Sequence, residues 1–397
     1  MEKITFVIPS RNNLEFLQLA YKSIRNLNTK HEILVLNDAS SDGTQEWIDS
    51  QKDKDLLTYH NPGPDRIGIV GMFDKGIELA RTDIIMAYHA DMVAAPNLDK
   101  HILKHLKRGT VVSATRIEPP LHPDGPEKIL YDFGIEVEDF NYDKFCDWVT
   151  KPSDLEEGYQ PKHNTLVTEG IFAPWCMYKE DFLSVGGHDK IFAPQSKEDS
   201  DLFNRFILKG YKVLQTWEGL VYHFTSRGSR FNKHAGGSAG QNSNEWINTT
   251  TKNSKEFIRK WGHFIKHDPY MKPIISPKYD IGFIVKNCNK ELLSILEPWC
   301  STIYVDLNIE ETSDYIAEEQ MKSSFNIIER VNSFDSEKDN EILVEINSQT
   351  INQDDFKLIQ QLPDIIKDNG GIGKFELGSL IIHIIQMNEY QNDLVYL

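Results

Sequence analysis

Four stretches of the sequence gather side chains able to bind ligands, hold cations or move protons. "FVIPSRN" ends an apolar run in Pro9, Ser10 and Arg11, and "LVLNDASSDGT" ends another in Asn37 and Asp38, with Ser40, Ser41 and Asp42 close behind. "MAYHAD" ends a third in His89, Ala90 and Asp91. "KEDSDLF" sets Glu198, Asp199 and Asp201 ahead of a helical apolar pattern. Carboxylates accept hydrogen bonds, hold hard cations or take a proton, and imidazole suits transition metals. Each stretch also has a plain structural use. Residues 40–42 can form a turn and cap a helix starting near Thr44, and acidic residues suit the first turn of a helix.

The elements that must position these groups follow from hydrophobic period. "ITFVIPS", "HEILVLND", "LLTYHN" and "DIIMAYHAD" read as strands. Leu14, Leu17, Tyr21 and Ile24 recur at helical spacing behind Asn12 or Asn13, either of which can cap. Residues 44–50 and "GIVGMFDKGIELA" read as further helices. The alternation predicts parallel βαβ units with right-handed crossovers, in which ligands bind at the carboxyl ends of the strands. Three of the polar clusters fall at such ends. Further on, Leu98, Ile102 and Leu106 predict a helix closed by Gly109, and "TVVSATRI" another strand. Residues 118–165 read as a long ordered loop, "LFNRFILKGYKVLQTW" as helix, glycine stop and strand, and residues 225–255 as a mobile loop. A boundary is expected near residues 273–277. Beyond it, the strands "DIGFIV", "TIYVDL" and "EILVEI" and the helices "KELLSILEPW" and "DDFKLIQQL" make a second, small α/β unit. The division is residues 1–272 and residues 278–397.

Composition narrows the class. The net charge is −17, and residues 281–397 hold 8 Lys and Arg against 21 Asp and Glu, so −13 of it lies there. A chain without a basic patch is not expected to bind nucleic acid. No stretch is long and apolar enough to span a bilayer, and "MEKITFVIPS" lacks the charge and apolar pattern of a signal peptide. Cys146, Cys176, Cys288 and Cys300 show no metal spacing, which points to free thiols in a reducing compartment. A cytoplasmic location is expected, and peripheral contact with a membrane is compatible with it.

Taken in order, "VIPSRNN", "VLNDASSDGT", the glycine-containing helix, the strand with the acidic end, "FLSVGGHDKIF", "KEDSDLFNRFILKGYKV" and "VYHF" resemble family 2 glycosyltransferases across residues 1–235. The resemblance implies a GT-A fold: α/β, with a Rossmann-like, mostly parallel sheet flanked by helices. It implies an inverting, metal-dependent hexosyl- or N-acetylhexosaminyl-transferase of polysaccharide biosynthesis. The donor would be a nucleotide-diphosphate sugar, UDP-linked, and the acceptor a hydroxyl of a glycan or glycoconjugate. By the same resemblance Pro9, Ser10, Arg11 and Asp38 hold the base and ribose. His89, Ala90 and Asp91 stand where the family has Asp-X-Asp, with Asp91 and His223 ligating Mn2+ or Mg2+. Asp199 is the general base and Glu198 the next candidate. Arg227 and Arg230 close over the diphosphate, Arg66 reaches the nucleotide, and Trp175 and Glu169 line the acceptor site. His89 departs from the family's aspartate, and Asp74 stands where its helix often has asparagine. Residues 270–397 carry no resemblance.

Two other classes fit parts of the sequence. The altered triplet is compatible with a non-catalytic nucleotide-sugar-binding module. A nucleotidyltransferase would carry a Gly-rich basic phosphate loop after the first strand, and "IPSRNNLEF" has no glycine.

Overall fold

Buried apolar runs that end in polar residues set the architecture. The computed structural model describes residues 2–151 and 158–397. The chain divides into two compact units, one of residues 1–249 with 267–273 and 396–397, the other of Thr250–Lys266 with Ile274–Val395.

In the first unit β1 (Ile4–Ser10), β2 (Glu32–Asp38), β3 (Leu56–Asn61) and β4 (Ile84–Ala87) pair in parallel in the order 3-2-1-4. They alternate with α1 (Leu14–Arg25), α2 (Thr44–Ser50) and α3 (Gly68–Leu79). α1 packs Leu17, Ala20 and Ile24 on one face of the sheet, beside Phe6, Ile8 and Val35. α3 packs Met72, Phe73 and Ile77 on the other, beside Val7, Leu34 and Leu36. The approach of α3 needs glycine: a Cβ on Gly76 would lie 2.4 Å from the Val7 side chain.

Next come β5 (Met92–Ala94), α4 (Leu98–Leu103), β6 (Thr110–Glu118), β7 (Lys128–Leu130), α5 (Tyr142–Thr150), β8 (Val167–Thr168), β9 (Trp175–Tyr178), α6 (Lys179–Leu183), α7 (Glu198–Leu208), β10 (Lys212–His223) and α8 (Asn244–Trp261). The sheet continues β4-β9-β6-β10-β5. β9 is antiparallel to both β4 and β6, so the sheet is mixed, though most of its strands run one way. The two reversals cancel, and β6, β7 and β10 run in the direction of β4. Ser10, Asp38, the turn after β4, Glu118 and His223 therefore emerge at one edge.

Two loop expectations change. The segment 118–165 carries β7 and α5, with residues 152–157 outside those described. Residues 244–255, expected as mobile loop, lie in the 18-residue helix α8.

In the second unit β11 (Ile281–Lys286), α9 (Lys290–Leu296), β12 (Thr302–Val305), α10 (Glu310–Gln320), α11 (Ile327–Arg330), β13 (Val331–Ser333), β14 (Ile342–Asn347), α12 (Gln353–Asn369), β15 (Gly373–Leu377) and β16 (Leu380–Ile384) form a sheet in the order 13-12-11-14-16-15. Phe283, Val285, Ile303, Val344, Ile359 and Ile382 are in its core. It also takes in residues 250–266, and with them all of α8 from Thr250 onward, upstream of the boundary expected near residues 273–277. Arg259 explains this, since Glu256, Glu297 and Glu319 surround its guanidinium. No helix among the described residues is long and apolar enough to cross a membrane.

Candidate functional site

The polar run after β2 is a knot of loop contacts. Asp42 Oδ2 accepts from Leu14 N at 2.9 Å, so Asp42 satisfies the first turn of α1. Asn13 occupies the N-cap position, but its side chain makes no capping bond and instead accepts from Ser10 Oγ at 2.6 Å. Asn12 N donates to Ser40 Oγ, and Ser41 N donates to Asn12 Oδ1. Asp38 Oδ1 accepts from Ile67 N and Asn61 Nδ2, and Oδ2 from Gly68 N at 2.7 Å. Asp38 thus anchors the start of α3 while standing in the wall of a cavity of about 380 Å3.

That cavity opens at the carboxyl edge of the sheet. Pro9, Ser10, Arg11 and Arg66 line it beside Asp38, and His89, Ala90, Asp91, His223 and Arg230 line it further along. Strand register brings the middle group together. His223 pairs with Met92 across the antiparallel β10–β5 ladder, which sets it next to Asp91. Ligand atoms of His89, Asp91 and His223 all lie within 4.8 Å of one another. His223 Nε2 is 3.6 Å from Asp91 Oδ1, and its Nδ1 is 2.7 Å from Glu118 Oε1. Asp91 Oδ2 accepts from Arg227 N at 2.7 Å.

Burial and charge compete in this group. Burial opposes protonation of His223, but Asp91 and Glu118 outweigh it and push its pKa up to about 9. Burial opposes ionisation of Asp91, but the His223 charge and hydrogen bond hold its carboxyl well below the usual range. Burial lowers the His89 pKa against the raising charges of Asp91 and Asp199. The donor set fits a divalent cation. A neutral His89 is in the ligating form, the Glu118 carboxylate fixes the His223 ring so that Nε2 faces Asp91, and a cation bound there would displace the Nε2 proton.

A second charged set in the same cavity escaped the sequence reading. Arg116, Glu118, Glu127 and Lys128 are 6%, 2%, 8% and 6% exposed. Arg116 reaches Glu127 at 2.9 Å and Glu118 at 3.3 Å, and Lys128 reaches Glu118 at 2.9 Å. The Arg116 guanidinium lies 3.7 Å over the Phe172 ring centroid. Charges two apart in an otherwise apolar strand, as in "TRIE", share one face and were the available signal. Trp246 of α8 also lines the cavity, with Arg230 4.1 Å over its ring.

Several expected residues lie elsewhere. Trp175 is 1% exposed, packed in the core with Phe182 and Phe206, so it does not line an acceptor site. It pairs with Ala87 on one side and Ser113 on the other, inside the sheet. Glu169 is exposed and bound to Lys272 at 2.6 Å, away from the cavity lining. Arg227 meets the site only through its backbone N–H. Its guanidinium turns to Glu136 and the Ile135 carbonyl, so it does not close over the cavity. Arg66 and Arg230 do line the cavity, paired with Glu245 and Asn242.

Glu198 and Asp199 open α7. Burial, then the Asp199 charge, raise the Glu198 pKa to about 8, and its Oε2 finds no partner among the described residues. Asp201 faces the interior, paired with the buried Arg205 at 2.9 Å. Arg205 donates to the carbonyls of Val185 and Gly187, and Asp74 binds the ring and backbone N–H of His188. "VGGH" and the unusual Asp74 therefore serve one structural joint.

Residues 5–145 match the model of glycosyl transferase family 2. An undecaprenyl-phosphate mannosyltransferase of Micrococcus luteus is 26% identical over 121 residues, 30% of this chain and 49% of that protein. A poly-beta-1,6-N-acetyl-D-glucosamine synthase of Staphylococcus aureus is 26% identical over 120 residues, 30% of this chain and 29% of that protein. The matches thus span half or less of these curated relatives. A solved mannosyltransferase from Pyrobaculum calidifontis, in complex with GDP-Man and Mn2+, aligns at a TM-score of 0.39 and 15% identity over 57% of this chain and 58% of that one.

Proposed function

The chain belongs to glycosyl transferase family 2 through residues 5–145, and from that premise we propose that it moves a sugar from a nucleotide-diphosphate donor, UDP-linked, to a hydroxyl of a glycan or glycoconjugate. The observation that carries the reading is the group of His89, Asp91 and His223 in the wall of a cavity that Pro9, Ser10, Arg11 and Asp38 also line. The nucleotide lies over the ends of β1 and β2, where the backbone of residues 9–11 and Arg66 meet it. Asp38 contributes mainly by holding the start of α3 in place, since three donors already occupy its carboxylate. Asp91, His223 and His89 would hold Mn2+ or Mg2+, which supplies positive charge to the departing diphosphate. Arg11 and Arg230 face the same space, and the buried Nε of Arg11 has no partner among the described residues.

Asp199 is the general base. It stands at the start of α7, where N–H groups favour a carboxylate, and its charge acts on the His89 ring. It takes the acceptor hydroxyl proton as that oxygen attacks the anomeric carbon opposite the diphosphate, which inverts the configuration.

Two variants test the reading. Asp91→Ala should abolish the strengthening of UDP binding by Mn2+ in calorimetry, and full donor turnover in excess chelator would refute the metal role. Asp199→Asn should keep donor affinity while release of nucleoside diphosphate falls by ~10²–10⁴-fold, the usual range for a lost base. Unchanged release would remove Asp199 from that role. The same titration with GDP tests the uridine preference.

A further inference from the structure

The donor runs along the edge of the sheet, and the strand order says where its far end lies. From β1, over which the nucleotide lies, the order is β4, β9, β6, a span of three strand spacings or about 14 Å. At that end stand Arg116, Glu118, Glu127 and Lys128. We infer that these four side chains form the subsite for the transferred sugar, and that they select an uncharged, hydroxyl-rich ring over an acidic one. The inference rests on the nucleotide-sugar reading above and deepens it.

Register builds the set. Arg116 and Lys128 stand opposite each other in the parallel β6–β7 pair, and Glu118 shares their strand face. Glu118 ties the set to the metal group through His223, so the ring lies next to the diphosphate. Four charges this deeply buried cost desolvation that their pairing does not fully return. They leave unmet capacity in the cavity wall. Arg116 Nε is buried with no partner among the described residues, in a side chain only 7% exposed. Lys128 carries three donors and spends one on Glu118. Phe172 fixes the plane of the guanidinium.

The balance of the set decides the ligand class. Two cations meet two carboxylates, so the set is neutral. A uronic acid would bring a third carboxylate beside Glu118 and Glu127, whereas a hydroxyl both accepts from Arg116 or Lys128 and donates to a carboxylate. A site of paired, immobile donors and acceptors also rejects rings that lack the matching hydroxyl.

The test is calorimetry on the full chain with Mn2+. The probes are UDP, UDP-glucose, UDP-galactose, UDP-N-acetylglucosamine and UDP-glucuronic acid, with GDP and GDP-mannose as a second series. At least one uncharged nucleotide sugar should bind about tenfold tighter than its own nucleoside diphosphate, the value of one charge-assisted hydrogen bond. UDP-glucuronic acid should gain nothing over UDP. In Glu127→Gln, and separately in Lys128→Met, the gain should largely disappear while affinity for the bare nucleoside diphosphate persists, which also reports a folded site. A gain confined to UDP-glucuronic acid, or one that survives both substitutions, overturns the subsite alone. Failure of both UDP and GDP to bind overturns the nucleotide reading and the subsite with it.

Discussion

Arg116 in the first unit and Arg259 in the second are both buried arginines facing more than one carboxylate, yet their networks end differently. Arg259 Nη1 reaches Glu256 at 2.7 Å, Nη2 reaches Glu297 and Glu319 at 2.6 Å each, and Nε is shared by both oxygens of Glu297. Tyr315 Oη donates to Glu297, and Arg330 completes it by donating to Glu297 and the Cys300 carbonyl. Burial opposes ionisation of Glu297, but Arg330 and Arg259 bring its pKa down to about 2. Each guanidinium nitrogen of Arg259 has a partner. The Arg116 network instead lines a cavity, leaves Nε unmet and continues through Glu118 to His223. A closed network fixes a fold, and an open one keeps binding capacity in reserve for something that arrives.

Breaking the closed network should have the largest effect. Arg259→Met leaves three carboxylates without their shared cation, and losing one partner of a buried ion pair costs about 3–5 kcal/mol. Chemical denaturation should register that loss in the second unit. Acid should act in the same direction. The folded-state pKa of Glu297 is depressed, so its contribution is complete above the ordinary carboxylate value and is lost as pH falls toward 2. A stability profile flat between pH 5 and pH 2.5 would mean that the network is not what holds α8 to its unit.

Opening the second network further should act on ligation first. Glu118→Gln keeps the shape of the side chain but removes the carboxylate that orients His223, a kind of change that lowers metal affinity about 10–100-fold. Mn2+ titration should show this, with less loss of unfolding free energy than Arg259→Met causes. The reverse order of effects would make the Arg116 network structural as well.

The contrast also explains what could be read from sequence. β1, β2 and β4 were legible because a buried parallel strand is a run of apolar residues that must end in polar ones. The edge positions of Asp38 and Asp91 follow from that alone. Trp175 was not legible, because an aromatic in a short strand looks the same whether it faces a cavity or Phe182. Arg227 could be placed just after His223 but not aimed, since its backbone and its guanidinium serve different partners. α8 was hidden by "NTTTKNS", whose residues are weak helix formers; its buried apolar residues Phe257, Ile258 and Trp261 cluster in the last turn and a half. The closed network draws on Glu256, Glu297 and Glu319, spread over more than sixty residues, and no local pattern announces that.

The smallest expected effect concerns Glu198, the buried acid with an unmet oxygen beside Asp199. Burial, then the Asp199 charge, raise its pKa and favour the neutral acid near pH 7. Glu198→Gln replaces a neutral group by a neutral group, so turnover at pH 7 should change little. The sign of the stability effect is fixed by linkage. A carboxyl whose folded-state pKa is raised stabilises fully below its unfolded value near 4.5, and that contribution is lost as pH rises through 8. The variant should therefore gain thermal stability over the parent steadily from pH 5 to pH 8 and hold the gain above. Turnover should separate the two above pH 8, where the parent acquires a second negative charge next to Asp199 and the variant does not. Coincident pH–rate profiles across that range would show that Glu198 stays neutral or stays apart from the chemistry. A collapse of the variant at pH 7 would give Glu198 the proton-transfer role and leave Asp199 as its neighbour at the start of α7.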